Sequence, residues 1–247
     1  MIGPRSALPE ALWREKLAPP RPLVEIPGGL YGPPRSPAGP AWLAWVFDDP
    51  EAVVEDAARR ATRDGAGRLL LGGPPGNYVV SGVDDAHRPR FCELGFTSIA
   101  EHLDLVVDPR VEGGCPGIEA VDDEAALCAW VGSRFGAAWS EECARAGRGG
   151  LFVARVGGEV VGFSAAGGNN AALGTFGPVG VIPEARGRGL GAALTRAAMR
   201  ALAAQGFQEV TVPWVSPQTA AFYQGLATVL RSRRRATLAR PLRTGSA

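Results

Sequence analysis

The sequence is poor in the side chains that most often bind metals or cross-link a chain. Among 247 residues there are two histidines, His87 and His102, and four cysteines without any C-x-x-C spacing. Zinc sites and disulfide frameworks are built from such side chains at short, regular spacings. We therefore expect no metal site and no disulfide framework, and we interpret the cysteines as buried free thiols of a cytoplasmic protein.

The sequence also has very little lysine and no large net charge of either sign. Lys16 is the only lysine among 26 Lys and Arg residues, and with 25 acidic residues the net charge is +1. A chain this close to neutrality has no overall attraction to nucleic acid or to anionic membranes. No uncharged apolar run reaches the roughly 20 residues that span a bilayer, and the first residues lack the apolar core of a signal peptide. We expect a cytoplasmic protein that binds neither nucleic acid nor a membrane.

The length leaves room for one large domain or two smaller ones. A stretch rich in proline and glycine, 108–117, divides the chain into two sets of alternating strand-like and helix-like segments. The predicted organisation is an N-terminal extension at 1–22, a first domain at 23–108, a linker at 109–117 and a second domain at 118–243.

The second domain contains one stretch that predicts a binding site. Residues 175–191 have the sequence TFGPVGVIPEARGRGLG, in which an apolar strand ends at Val181 and a glycine-rich turn precedes a helix rich in alanine and leucine. The first amides of a helix lack intrahelical partners and carry partial positive charge. Glycines let that backbone approach a ligand closely. The stretch therefore predicts a site for a phosphate-bearing ligand.

A faint internal repeat relates the two halves. LVEIPGGLYG at 23–32 is similar to LFVARVGGEVVG at 151–162, and FCELGF at 91–96 is similar to FYQGLA at 222–227. We interpret this as a degenerate duplication. Where the first half should carry the glycine-rich turn it has Asp48-Asp49-Pro50-Glu51. Because those carboxylates would repel phosphate, we expect no anion site in the first half.

The stretch VGVIPEARGRGLGAAL resembles the cofactor motif of the GNAT superfamily of acyl-CoA-dependent N-acyltransferases. The hydrophobic residue, the proline, Arg-x-x-Gly-x-Gly and the alanine-leucine helix occur in the family's order. Residues 214–223 resemble the family's closing helix with its Phe-Tyr pair. The resemblance covers 118–240 clearly, and 22–107 resembles an eroded copy, as in tandem-domain members. It implies an α/β (α+β) fold: a mixed, mostly antiparallel sheet flanked by helices, in two tandem lobes.

The resemblance also implies a site and a reaction. The strand ending at Val181 and a strand at 209–214 would splay apart, and the pantetheine of acetyl-CoA would pair with the free edge of the first. The pyrophosphate would lie on the amides of 187–192, and Arg186 or Arg188 would add charge. The implied cofactor-binding residues are Val179, Gly180, Val181, Arg186, Gly187, Arg188, Gly189, Leu190, Gly191 and Ala192. No metal is implied.

In this family an amine attacks the acetyl thioester directly, and a backbone amide near Val181 would stabilise the developing oxyanion. Tyr223 occupies the family's position for the acid that protonates the leaving thiolate. From the residues alone, Tyr223 could equally be a packing tyrosine. The general base stays open between Glu141, Glu142 and a water molecule, and the two glutamates could also form a solvated face.

Two departures from the family pattern affect this site. Ser216 stands where the family usually has an asparagine that contacts the cofactor, which leaves a shorter polar group there. Gly225-Leu226-Ala227 replaces the family's Gly-Phe strand start, so the register of the last strand is not predicted.

Three further features have alternative interpretations. Trp139 and Trp214 could line an acceptor pocket or pack in the core. The C-terminal arginines could form a solvated hairpin, or contact the cofactor's 3′-phosphate or an anionic acceptor. These arginines are Arg231, Arg233, Arg234, Arg235, Arg240 and Arg243.

The leading function is transfer of an acetyl group from acetyl-CoA to a small-molecule or peptide amine, with the N-terminal lobe shaping the acceptor cleft. A CoA-sensing protein without turnover is the first alternative, because no base is evident and Ser216 departs from the pattern. A nicotinamide-dinucleotide enzyme is the second. It fits less well because the spacing is Gly-x-Gly-x-Gly rather than Gly-x-Gly-x-x-Gly.

Overall fold

The structure, a computed structural model, describes residues 2–19 and 22–242; residues 1, 20, 21 and Arg243, which fall in the predicted extension and second domain, lie outside the described residues. The helices are α1 (Glu10–Leu17), α2 (Pro50–Arg63), α3 (Arg88–Glu93), α4 (Glu124–Phe135), α5 (Ala137–Ala146), α6 (Leu190–Ala204) and α7 (Pro217–Gln224). The strands are β1 (Val24–Ile26), β2 (Gly29–Gly32), β3 (Ala38–Val46), β4 (Ala66–Leu71), β5 (Val83–Asp84), β6 (Thr97–Val107), β7 (Ile118–Ala120), β8 (Leu151–Val156), β9 (Glu159–Ala166), β10 (Phe176–Val181), β11 (Val210–Val215) and β12 (Val229–Pro241).

The chain forms two compact units. The first unit combines residues up to 103 with those from 233 onward, and the second unit holds 104–232. The chain passes from the first unit to the second within β6 and returns within β12. The tandem-domain boundaries given above remain a prediction.

In the first unit the sheet order is β1-β2-β3-β4-β12, and β5 also pairs with β12. β3 and β4 are parallel, whereas the other pairs are antiparallel. The parallel pair is joined through α2, whose buried face includes Val54, Ala57 and Ala61. This face packs against Leu43 of β3 and Leu69 of β4. The unit is thus built around a strand–helix–parallel strand sequence.

The end of β3 is covered by residues from the start of the chain. The β3–β4 ladder stops at Leu43 and Leu71. Beyond it, Ile2 forms a parallel bridge with Val46, and the Gly3 amide donates to the Val46 carbonyl over 3.0 Å. The Val46 carbonyl, which β4 leaves without a partner at this edge, is therefore bonded to the Gly3 amide.

Helix α1 packs beside this edge and buries an amine. Leu12 and Trp13 are buried in a cluster with Ala44 of β3, and the Trp13 ring lies 5.5 Å from that of Phe47. Lys16 is 0% exposed; its Nζ donates to Glu15 over 2.7 Å and lies 5.9 Å from the centre of the Tyr78 ring. A buried ammonium requires such partners because desolvation penalises the charge.

The second unit contains a four-stranded antiparallel sheet in the order β10-β9-β8-β7. Side chains of β8 alternate between its faces. Leu151 and Val153 pack with α4 and α5, whereas Ala154 packs with Leu194 of α6. Helices therefore cover both faces of this sheet. The predicted fold class, a mixed and mostly antiparallel sheet flanked by helices, is confirmed.

Helix starts and turns that depend on a few neighbouring residues form as the sequence indicates. The Asp49 side chain caps α2, the Asp123 side chain caps α4, and the Gly157-Gly158 turn joins β8 to β9 as a hairpin. The sequence pattern of 84–94 favours a helix throughout, but the structure departs from this in the first part of the segment. There Asp84 belongs to β5 and pairs with Arg235, and its carboxylate accepts the His87 amide, so the helix begins only at Arg88.

Across residues 2–19 and 22–242, no helix combines the length and the apolar character needed to cross a membrane.

Replacing Trp13 with alanine should destabilise the first unit. The ring is buried against Phe47, and removal of a buried Trp typically costs about 3–5 kcal/mol through lost burial and a residual cavity. Urea unfolding of the full chain followed by circular dichroism measures the loss. Arg14→Ala, at the neighbouring exposed position, is the control and should change stability by at most about 0.5 kcal/mol. Equal stability of Trp13→Ala and wild type would contradict the packing role.

Candidate active site

Strand β10 has one free edge along its last three residues. Val179, Gly180 and Val181 pair with β9, and within the described chain no other strand pairs with them. The Ile182 amide donates to Val161 of β9 over 2.9 Å. Because hydrogen-bonding direction alternates along an antiparallel strand, Gly180 also faces β9, whereas the backbone groups of Val179 and Val181 point to the free edge.

The neighbouring strand β11 diverges from this edge. Thr175 and Thr211 form a single parallel bridge, and the Thr211 amide donates to the Gly174 carbonyl over 3.0 Å. In the part of the chain that the structure describes, no ladder continues this bridge toward Val181. The strands thus meet at one end and leave the Val179–Val181 edge unpaired.

The start of α6 leaves its first amides without side-chain acceptors. Gly189 is the N-cap residue, with a left-handed φ of 75°, and its carbonyl accepts the Ala193 amide over 3.1 Å. The amides of Leu190, Gly191 and Ala192 precede that bond. Among the described residues no side chain caps this helix, whereas Asp49, Asp123 and Ser216 cap α2, α4 and α7.

The strand edge and the helix start border one hollow of about 240 Å³. Ideal Cβ atoms at Gly187 and Gly189 would meet no atom within 4 Å, and both glycines have left-handed φ angles. These positions thus combine open space with a backbone conformation that favours glycine. The residues lining the hollow are Val181, Ala185, Arg186, Gly187, Gly189, Leu190, Gly191, Ala192 and Phe222.

The two predicted arginines differ in their contacts. Arg186 turns back, and its Nε donates to the Val181 carbonyl over 3.1 Å, so this side chain occupies one acceptor on the free edge of β10. Arg188 is exposed and has no hydrogen-bond or ion-pair partner among the described residues. The first turn of α6 contains no acidic residue, although Glu184 lies exposed in the preceding 3₁₀ turn. Arg188 is therefore the freer cation near the hollow.

Aromatic side chains pack against Gly180 on the face of β10 that α5 covers. A Cβ at Gly180 would lie 2.9 Å from both Phe135 and Phe163. Trp139 stacks on Phe135 at 5.5 Å and lies edge-on to Phe163 at 5.9 Å. Core packing thus accounts for Trp139, and glycine at position 180 lets the rings reach the strand backbone.

Tyr223 lies on α7, close to the beginning of β10. Its ring makes edge contacts with Phe176 at 6.1 Å and with Phe222 at 5.1 Å. Its hydroxyl has no hydrogen-bond partner among the described residues. Burial raises the pKa of the Tyr223 phenol to about 12, because the phenolate would lose hydration. The hydroxyl therefore keeps its proton at neutral and mildly alkaline pH.

Ser216 acts locally in the structure. Its Oγ accepts the Thr219 amide over 3.2 Å and lies 3.1 Å from the Thr219 hydroxyl. It thereby caps α7. The side chain that departs from the family pattern fixes the start of the helix that carries Tyr223.

Trp214 occupies a strained position that the sequence does not predict. Its φ is +60°, its side chain is 37% exposed, and Val215 rather than Trp214 points inward. The Trp214 amide donates to Oδ1 of Asp104, a buried carboxylate of β6, over 3.3 Å. Left-handed φ at a bulky residue is costly and often marks a functional segment. Asp104 lies far away in sequence, so no local motif indicates this contact.

The two candidate base residues do not form a solvated face. Glu142 is 6% exposed, Glu141 is half-buried, and both lie on α5. Neighbouring Arg145 donates to the Gly168 carbonyl, in the loop that leads to β10, over 3.3 Å. Among the described residues no group of three or more His, Cys, Asp and Glu side chains is placed to hold a metal ion.

The C-terminal arginines do not act as one basic cluster. Arg231 pairs with Glu209, Arg235 with Asp84 and Arg240 with Glu55. Arg233 and Arg234 are exposed, and Arg243 lies outside the described residues. Ion pairs therefore neutralise three of the five arginines of this set that the structure describes.

Comparison with known proteins finds one family profile that matches part of the second unit. Residues 120–226 match the profile of the family described as Acetyltransferase (GNAT) family. No curated protein matches the sequence.

Solved structures share the fold at low sequence identity. A GCN5-related glucosamine N-acetyltransferase region of a fungal multi-domain GH3 β-N-acetylglucosaminidase has a TM-score of 0.64 and 18% identity over 89% of this chain, which spans only 31% of that protein's chain. A tandem GNAT protein from the clavulanic acid biosynthesis pathway has a TM-score of 0.63 and 16% identity, covering 99% of this chain and 91% of that one. A GCN5-related N-acetyltransferase from Kribbella flavida has a TM-score of 0.61 and 16% identity, covering 94% and 93%.

The raised pKa of Tyr223 should be visible by titration. Phenolate absorbance near 295 nm, measured between pH 8 and 11 for wild type and Tyr223→Phe, should give coincident curves, since a phenol with a pKa of about 12 stays protonated over this range. Circular dichroism at each pH verifies that the chain remains folded. An extra wild-type transition near pH 10, the ordinary tyrosine range, would contradict the burial of the hydroxyl.

Proposed function

Because residues 120–226 match the profile of the GNAT acetyltransferase family, we propose that the second unit transfers an acetyl group from acetyl-CoA to an amine by direct attack. Acyl transfer to an amine is the general chemistry of the family. The observation that carries the proposal is the convergence of the free β10 edge and the uncapped α6 start on one hollow. Both supply unpaired backbone groups to an elongated ligand that carries amides and phosphates.

The residues present fit acetyl-CoA chemically. The backbone groups of Val179 on the free edge can bond to pantetheine amides, as one strand bonds to another. The amides of Leu190, Gly191 and Ala192 suit the pyrophosphate oxygens. Gly187 and Gly189 place no side chain in the way, and Arg188 adds a positive charge. Arg186 is left to orient the end of β10 through its bond to Val181.

In the proposed reaction the attacking amine loses one proton and the departing thiolate gains one. The amine nitrogen attacks the thioester carbonyl carbon, the C–N bond forms, the C–S bond breaks, and the amine loses a proton. The Val181 amide on the free edge stabilises negative charge on the carbonyl oxygen. Tyr223 supplies the proton that the departing thiolate takes up. Its raised pKa keeps that proton available above the ordinary pKa of a thiol, about 8.5.

The first unit has the same strand–helix–parallel strand order, and we propose that it is a degenerate copy that does not bind acetyl-CoA. Two observations support this. Ile2 and Gly3 occupy the edge of β3 beside Val46, and the Asp49 carboxylate accepts the Glu51 amide at the start of α2. The backbone groups that would bind a cofactor are bonded within the chain.

The acceptor that we propose is a small-molecule or peptide amine, and the proposed location is the cytoplasm. The near-neutral net charge is consistent with such an acceptor, and the free cysteines are consistent with a cytoplasmic location. The proton lost by the amine passes to Glu141, Glu142 or a water molecule, and we propose no choice among these.

Calorimetry and a thiol-release assay test this function. Wild type should bind acetyl-CoA and release free thiol with at least one amine of a broad panel. Arg188→Ala should weaken acetyl-CoA binding about fivefold to tenfold, since one charge-assisted contact is lost. Arg155→Ala, an exposed arginine on β8 paired with Glu119, should leave the affinity unchanged.

Three outcomes of this test would contradict the proposal. The calorimetry includes NAD as a second ligand, and binding of NAD but not of acetyl-CoA would indicate a dinucleotide enzyme. Tight acetyl-CoA binding without thiol release from any amine would indicate a CoA sensor. Equal effects of the two arginine variants would remove Arg188 from the binding site.

Tyr223→Phe should lower kcat by about 100-fold and leave the KM for acetyl-CoA within about twofold, since a positioned acid typically contributes 10²–10⁴-fold. The ring contacts with Phe176 and Phe222 are retained, so the variant tests the hydroxyl alone. The control is Tyr78→Phe in the first unit, which should keep wild-type kcat. Wild-type kcat should also show no alkaline decline caused by Tyr223 below pH 10. Unchanged turnover of Tyr223→Phe would exclude the acid role.

A further inference from the structure

The loop between β9 and β10 is enclosed by α5 and by the start of β10. An ideal Cβ at Gly168 would lie 2.8 Å from the Glu142 carbonyl oxygen and 2.9 Å from the Gly177 carbonyl oxygen. Because a side chain here would clash with backbone on both sides, glycine lets the loop pass between the helix and the strand. The next two residues, Asn169 and Asn170, are buried. The loop is thus a buried polar segment.

Arg145, in the last turn of α5, directs its guanidinium at this loop. Its Nε donates to the Gly168 carbonyl over 3.3 Å. Its Nη2 is buried and has no hydrogen-bond partner among the described residues. Its Nη1 has no partner there either, but it is not buried, and the residue as a whole is half-buried. The guanidinium is therefore fixed at Nε, and its two terminal nitrogens have no acceptor.

The end of a helix does not by itself account for this arrangement. The helix dipole favours a cation at a C-terminal turn, which explains the charge of Arg145 but leaves Nη2 without an acceptor. Buried polar atoms almost always have a partner, so an exception indicates a missing ligand, ion or water. The two terminal nitrogens of an arginine match an anion that accepts two parallel hydrogen bonds, such as a carboxylate or a phosphate. Arg145 therefore indicates a site for an anionic group.

Two glutamates decide which anion fits. Glu141 and Glu142 precede Arg145 by four and three positions on α5, the spacings at which side chains on a helix are neighbours. In the part of the chain that the structure describes, Arg145 forms no ion pair with either of them. Both carboxylates would repel a phosphate dianion. A carboxylate on a molecule that also carries an ammonium group would complement Arg145 and the glutamates together, so the charges favour a zwitterion.

This group of charges lies next to the proposed reaction centre. Gly177, whose carbonyl oxygen lies against Gly168, precedes the free edge of β10 by two residues. The ring of Phe176, the residue before it, makes an edge contact with Tyr223 at 6.1 Å. The last turn of α5 therefore meets β10 where the free edge begins and where the proposed acid is placed.

We propose that the acceptor is a free amino acid whose carboxylate binds to Arg145 and whose amine lies beside Glu141 and Glu142, an inference that rests on the proposed function. The amine nitrogen forms the C–N bond to the acetyl carbonyl carbon, and the C–S bond of the thioester breaks. One proton leaves the amine and one is taken up by the departing thiolate, so the products are the N-acetylamino acid and CoA. Arg145 takes no part in these proton transfers and selects which amines bind.

Matched acceptors test this inference in the thiol-release assay. Each proteinogenic amino acid is compared with its carboxamide, which keeps the amine and the side chain but lacks the carboxylate charge. For at least one amino acid, kcat/KM should be at least about tenfold higher than for its carboxamide, as expected for one charge-assisted contact. Thermal unfolding of the full chain with each compound measures binding without turnover.

Arg145→Gln should remove that preference. Its kcat/KM for the preferred amino acid should fall about tenfold, mainly through KM, whereas its kcat/KM for the carboxamide and its KM for acetyl-CoA should stay within about twofold of wild type. Arg145→Lys, which keeps the charge without the planar fork, should retain part of the preference. The matched control is Arg134→Gln, at the exposed arginine in the last turn of α4, which should keep the full preference.

The outcomes separate this inference from the proposed function. If carboxamides release thiol as fast as the amino acids, or if Arg145→Gln slows both members of a pair equally, the carboxylate assignment is overturned while acetyl transfer stands. If no compound releases thiol but an amino acid stabilises wild type and not Arg145→Gln, the proposed function fails and the carboxylate site stands. If no amino acid either reacts with or stabilises wild type, the inference is overturned.

Discussion

The need to satisfy backbone hydrogen bonds is the constraint on which this structure depends. Backbone N–H and C=O groups must be paired or hydrated, and the second unit leaves two sets of them open side by side, at Val179–Val181 and at Leu190–Ala192. The first unit has the same strand–helix–parallel strand order but closes both sets. Ile2 and Gly3 bond to Val46, and Asp49 caps α2. The two units thus differ in which backbone groups the chain itself satisfies.

That difference explains the glycines and arginines around the α6 start. A side-chain cap would stabilise the helix but occupy the amides, whereas Gly189 ends the turn without supplying an acceptor. The same arrangement leaves Arg188 in solvent and gives Arg186 a structural role at Val181. Farther along α6, Arg200 is bonded by the protein and Arg196 is not. Along α6, the first backbone amides and the Arg196 Nε thus have no hydrogen-bond acceptor among the described residues, whereas the Arg200 guanidinium has one.

Sequence predicts the parts of this structure that are decided by neighbouring residues. Asp49 before Pro50, the Gly157-Gly158 hairpin and the α7 segment after Ser216 follow from caps and turns within a few residues. Long-range contacts are not predicted from neighbouring residues. Ile2 on Val46, Asp104 on the Trp214 amide and Asp84 on Arg235 depend on the folded topology. Side-chain direction is not predicted even at short range, since the motif contains Arg186 but does not indicate that its side chain turns back to the Val181 carbonyl.

The burial of Lys16 has a chemical consequence for a protein proposed to handle a reactive thioester. Thioesters acylate exposed lysines spontaneously, and the only lysine of this chain is 0% exposed and ion-paired with Glu15. The folded protein therefore offers no lysine to its own acyl donor, so lysine self-modification cannot be mistaken for turnover. For the same reason an amine-reactive dye would reach Lys16 only when α1 detaches, which makes its labelling rate a direct reporter of local opening in the first unit.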